Sequence, residues 1–207
     1  MNADRQSAQD DLAFMRAMVE EGSQTNLTGT SMMVIGGVLY GLQCLGHWAE
    51  AAGLLVYPGM VRLLIGFGPT VLFLAVVAWV TWRDRGRGFG KTTASRAIGA
   101  GFAGAGIANI TLTFVFGFNA ARSGDFTLWL FYPAVVCAIQ GAVWFAFAVL
   151  RRRLWLGAVA AGWYIAGALT GVLVHSPADY LLVLALSMFL LLALPGAVMM
   201  RLAAKAA

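Results

Sequence analysis

The sequence predicts an all-α membrane protein, a polytopic bundle of six transmembrane helices with both termini on the cytoplasmic side. Three observations carry this. Of the 207 residues, 60% are hydrophobic and only 11% charged, and the mean hydropathy is +0.79. A soluble domain carries about 25% charged residues, because its surface must face water. Six apolar runs follow one another, each at least about 20 residues long, enough to cross a hydrocarbon core of about 30 Å as a helix. Twelve of the 14 lysines and arginines then fall on one side if the runs alternate across the bilayer, the asymmetry that marks the cytoplasmic face.

Taken in order, the first element lies outside the bundle. Residues Ser7 to Gly22 read as a short amphipathic helix within a cytoplasmic segment, 1–26. Ser7 and Asp10 form an S-x-x-D start signal, in which each side chain can cap a free backbone N–H. Leu12, Phe14, Met15, Met18 and Val19 make an apolar face at helical spacing. The stretch through Gly22 has two basic and five acidic residues, a net of −3. Helices that adsorb to anionic lipid are basic on the polar face, so this one is expected to dock on the basic loops at 83–91 and 151–153 or on a cytoplasmic partner. A polar, acidic start also argues against a cleavable signal peptide.

The six-helix domain occupies 27–207, with apolar segments at about 28–52, 59–82, 97–118, 126–150, 154–174 and 180–200. Each backbone polar group in lipid needs an internal partner, so such runs must be helices. The ten-residue alternation of a membrane β-barrel is absent. Arg5, Arg16, Arg83, Arg85, Arg87, Lys91, Arg96, Arg151, Arg152, Arg153, Arg201 and Lys205 flank the inner ends, against Arg62 and Arg122 outside. This scattering through short loops explains the positive charge without nucleic acid. Trp48, Tyr57, Trp129, Tyr132 and Tyr180 fall near outer ends, and Trp79, Trp82 and Trp155 near inner ends, as an interfacial aromatic belt requires.

The block Asp11-Leu-Ala-Phe-Met-Arg-Ala-Met-Val-Glu-Glu21, followed by a Gly-rich run from Thr28 to Gly41, resembles the start of small bacterial integral membrane proteins of uncharacterised function. The resemblance covers about the first fifth of the chain. It implies a bacterial inner-membrane location and brings no activity and no site residues.

The chemistry-bearing motifs are few. Gly86-Arg-Gly-Phe-Gly-Lys91-Thr92-Thr93 suggests a phosphate loop, but the first glycine of that motif would have to be residue 85, which is Arg85. The sequons at Asn26 and Asn109 fall on the cytoplasmic side and within a membrane helix. Cys44 and Cys137 both lie in apolar runs and form no disulfide or zinc spacing. Gly37/Gly41 and Gly167/Gly171 are G-x-x-x-G pairs, with Ala100/Gly104, Gly101/Ala105 and Gly157/Ala161 as relatives. Such pairs let helix backbones approach closely, either within one bundle or as a homo-oligomer seam or a seam to a partner membrane protein. Pro69, Pro133 and Pro195 interrupt the second, fourth and sixth runs.

Gln43, Asn109, Thr111, Thr113, Asn119, Gln140 and Ser187 are the polar residues of the membrane interior, and all are uncharged. Mid-membrane carboxylates, histidines and lysines of the kind proton-coupled carriers and retinal proteins use are missing. The polar set could line a path for a neutral solute or bond helices to one another. His47 and His175 sit at outer helix ends, and Cys44 lies one turn before His47. Imidazole and thiolate ligate metals, so this trio is a candidate outer-face metal or haem site, with Glu50 or Asp179 as a further ligand. No catalytic residue is expected, since no serine or cysteine has a base beside it. The sequence favours a protein that acts by binding, as a structural, sensory or accessory subunit. The alternative is a transporter or channel for a small neutral or lipidic solute.

Overall fold

The computed structural model describes residues 27–83 and 93–206. The expected N-terminal amphipathic helix and the basic stretch at 84–92 lie outside the described residues. Within them the chain forms α1 (Leu27–Ala51), α2 (Gly59–Arg83), α3 (Thr93–Ser123), α4 (Thr127–Arg151) and α5 (Leu154–Val172). A 3-10 turn (Leu173–His175) leads into α6 (Pro177–Met188), and a π-turn (Phe189–Ala193) joins α6 to α7 (Leu194–Ala206). Helices α6 and α7 with the turn between them make the last of six spans, each long and apolar enough to cross a membrane. The chain is a multi-pass helical membrane protein.

Two spans reach further than hydropathy alone predicts. The third was expected at 97–118 and runs over Thr93–Ser123, and the sixth was expected at 180–200 and continues through Ala206. Arg96, Arg122, Arg201 and Lys205 therefore ride on helix ends rather than in loops. A helix can continue beyond the hydrocarbon wherever its backbone bonds persist, whereas an apolar run stops at the first polar residues.

Short turns set the antiparallel order. Gly53 and Gly124 adopt positive φ values of 71° and 70° in the turns after α1 and α3, a region open to glycine. Arg152, at φ 51°, closes α4 in the same left-handed region, where its N–H bonds back to Val149 O at 3.3 Å. The spans do not pack in sequence order. Helix α1 packs on α2, on α6 and on α7; α6 also packs on α5, α5 on α4, and α4 on α3. Thus α2 and α3, consecutive in the chain, are the two terminal members of the packing series. Their side chains face outward, with Phe67 68% and Ile110 70% exposed, where lipid tails meet them at no cost.

The buried centre is drawn from α4, α5, α6 and α7: Trp144 and Phe147, Leu156 and Trp163, Tyr180 and Leu184, and Met199. Tails are as apolar as leucine, so close packing must hold these helices together, and glycines permit it. A Cβ on Gly37 would lie 2.5 Å from Ala193 N, and one on Gly41 2.7 Å from the Phe189 ring. A Cβ on Gly167 would lie 3.1 Å from Ala134 O. Both G-x-x-x-G pairs thus serve seams inside the bundle, α1 on the π-turn and α5 on α4.

Candidate functional site

The three prolines inside helices organise the polar chemistry. A mid-helix proline lacks an N–H and its ring clashes with the carbonyl four residues earlier, which in lipid must find another donor. Near each proline a side chain from a different helix donates to a backbone carbonyl, and at Pro195 that carbonyl is the freed one. Gln43 on α1 donates through Nε2 to Gly66 O, one turn before Pro69, at 2.7 Å. Tyr180 on α6 donates its hydroxyl to Leu130 O, one turn before Pro133, at 2.8 Å. Trp163 on α5 donates Nε1 to Leu191 O at 3.2 Å. Leu191 is four residues before Pro195, so its carbonyl is the one whose helical donor that proline removes. The π-turn at 189–193 widens the helix where the proline ring would collide with this carbonyl.

The other polar residues close on themselves or on one neighbour. Thr113 bonds Asn109 O at 2.8 Å and the Tyr132 hydroxyl at 2.9 Å, tying α3 to α4. Thr111, Asn119, Thr170 and Ser187 each bond a carbonyl of their own helix. Asn109 Oδ1, Gln140 Oε1 and Trp144 Nε1 are buried with no hydrogen-bond partner. Phe102 stacks edge-on to Trp144, 5.9 Å between ring centroids, and Thr113 meets Tyr132 further along the same seam. The antiparallel register therefore sets Asn109 and Gln140 between those two contacts. Gln43, Asn109, Thr113, Asn119 and Gln140 thus do not converge on one polar cavity: Gln43 serves the α1–α2 seam, Asn109, Thr113 and Gln140 the α3–α4 seam, and exposed Asn119 bonds Val115 O of its own helix.

The end of the bundle that carries Glu50, Asp125 and Asp179 has its own contacts. Arg62 on α2 bonds Glu50 on α1 through Nε, at 2.9 Å, and through Nη2, clasping the first hairpin. Asp125 accepts from the Thr127 amide at 2.9 Å just ahead of α4. Hydrogen bonding from Thr127, side chain before backbone, holds the Asp125 carboxyl below its ordinary value, with the His175 charge a smaller aid. His175 closes the 3-10 turn before α6. Cys44 packs half-buried against the central cluster, and His47 sits one turn beyond it. Among the described residues no three His, Cys, Asp or Glu side chains gather where they could hold a metal ion, so Cys44, His47 and His175 are not assembled into one set.

Two donors escaped sequence reasoning. Tyr180, expected in the interfacial belt, is only 3% exposed, and Trp163 is 1% exposed. The sequence alone assigns Trp163 no role and Tyr180 only an interfacial one, whereas their polar tips are spent on the carbonyls of Leu191 and Leu130. The signal was present as a mid-helix proline in one span and a donor-bearing aromatic in another, but pairing them requires knowing which spans touch. Comparison with protein families, with curated proteins and with solved structures finds no match to this chain.

Proposed function

We propose that this is a bacterial inner-membrane protein, with both termini in the cytoplasm, that acts by binding as a structural, sensory or accessory subunit. One observation carries the reading: polar side chains of the spans are used to bond one helix to a backbone carbonyl of another, close to the mid-span prolines, instead of lining a shared cavity. A carrier for a polar solute needs convergent groups along a path, whereas a scaffold needs the helices fixed. The twelve basic residues that alternation of the spans assigns to one side support the orientation, and the resemblance of residues 11–41 supports the bacterial setting. The acidic stretch 1–26 offers a contact for the basic end or for a cytoplasmic partner.

The alternative, a transporter or channel for a small neutral or lipidic solute, draws on one observation, the unpartnered amide oxygens of Asn109 and Gln140. Reconstitution into liposomes separates the two. Binding alone predicts glycerol and urea flux equal to that of empty vesicles. Saturable flux that falls in Asn109→Leu or Gln140→Leu would overturn it.

A further inference from the structure

We propose that the lateral groove between α3 and α4 holds one acyl chain of an anionic phospholipid, whose headgroup sits among Arg96, Arg152 and Arg153. The groove encloses about 220 Å³ and is lined by apolar residues, among them Ala97, Ile98 and Gly101 of α3 and Val143, Phe147 and Leu150 of α4. It exists because small residues face one another there. A Cβ on Gly101 would meet only Val143, at 3.9 Å, so the two helices leave a trough that their own side chains do not fill.

A trough open to the bilayer fills with hydrocarbon, because an empty one forfeits the dispersion contacts of its walls. Any lipid tail could do this; selectivity comes from the mouth. The Arg151 guanidinium lies 5.9 Å over the ring of Phe147, itself a wall of the groove. Arg152 and Arg153 are exposed in the turn that follows, and exposed Arg96 adjoins Ala97. The acidic side chains among the described residues, Glu50, Asp125 and Asp179, all lie at the other end of the bundle. Guanidinium groups bind phosphate oxygens in a bidentate fork, and a basic pocket between spans is the arrangement that selects anionic headgroups over zwitterionic ones. The inference needs only the six-span bundle and holds whichever face of the membrane the arginines meet, so it fails or stands separately from the reading above.

The full-length protein, delipidated in mild detergent, is titrated with phosphatidylglycerol or phosphatidylcholine and followed by native mass spectrometry. One phosphatidylglycerol per chain is expected, held about tenfold more strongly than phosphatidylcholine. Gly101→Leu or Ala142→Leu, which fill the groove from opposite walls, should remove that bound lipid while the melting temperature stays near wild type. R96Q/R152Q/R153Q should bring phosphatidylglycerol down to the level of phosphatidylcholine. Equal retention of the two lipids, or retention unchanged in both groove-filling variants, would overturn the proposal. So would phosphatidylglycerol binding that appears only in E20K/E21K, which would assign the groove to the acidic N-terminal stretch.

Discussion

Gly37→Ala is the sharpest perturbation, because two opposing effects meet at one methyl group. In an exposed helix, alanine for glycine stabilises by about 0.5–1 kcal/mol through lost chain entropy. At position 37 the new Cβ would stand 2.5 Å from Ala193 N, 2.8 Å from Ala193 Cβ and 2.8 Å from Met188 O. Two of these three are backbone atoms of the last span, so no rotamer change relieves the overlap, and α1 must back away from the π-turn. Overpacking of this kind costs about 1–3 kcal/mol, roughly 5- to 150-fold in the folded-to-unfolded ratio. Gly104→Ala is the control, since nothing lies within 4 Å of its Cβ position. Both variants can be unfolded reversibly with SDS in mixed micelles and followed by fluorescence of the seven tryptophans. The expected result is destabilisation at 37 and neutrality or a gain at 104. A Gly37→Ala protein as stable as wild type would refute the close approach of α1 to the π-turn.

Trp163→Phe should destabilise by about 0.6–1.7 kcal/mol. The loss should shrink in a Pro195→Ala background, where an amide is restored to serve Leu191 O; an unchanged loss in a double-mutant cycle would mean the indole acts by packing alone. Tyr180→Phe and Gln43→Leu should each cost a similar amount, about 0.6–1.7 kcal/mol, and the two should add, because they join different pairs of helices and share no partner. Asp125 has a native pKa below its ordinary 3.8, so its contribution is complete above 3.8 and is lost as pH falls through the lower native value. Melting curves across that acid window should be steeper for wild type than for Asp125→Asn, and identical slopes would remove the Thr127 contact from the account. With Cys44 and Cys137 replaced, an impermeant thiol reagent should label a cysteine placed at 122 or 177 from outside, and one at 87 or 152 only after lysis. Labelling of 87 in intact cells would invert the topology.

The spans themselves were legible because burying twenty apolar residues in lipid requires nothing but their order in the chain. Gln43 and Thr113 were legible as bonds between helices, since an amide or hydroxyl in hydrocarbon must find an acceptor. Which acceptor was not legible. Gln43 reaches Gly66 across a hairpin, a local matter, but Tyr180 reaches back fifty residues to Leu130, and nothing in either segment encodes that the first turn of α6 comes within reach of the first turn of α4. The π-turn was invisible for a similar reason. Pro195 announces a disturbance, yet whether it becomes a kink or a widened turn depends on the indole of Trp163 and the glycines of α1. Hydropathy also cut the third and sixth spans short, because it reads solvent preference and not the persistence of helical hydrogen bonds.

The packing of the first span on the last has a consequence for biosynthesis. Gly37 meets Ala193, so the surface of α1 that closes the bundle waits for a partner more than 150 residues downstream. At about 5–20 residues per second, α1 resides in the bilayer for roughly 8–30 s before the π-turn is made. Throughout that interval the Gly37/Gly41 face is bare, next to any neighbouring nascent copy with the same face. A ribosome that stalls before α6 would leave a five-span chain whose most adhesive surface is permanently open, a substrate for membrane quality control or for exchange of the last span between two chains.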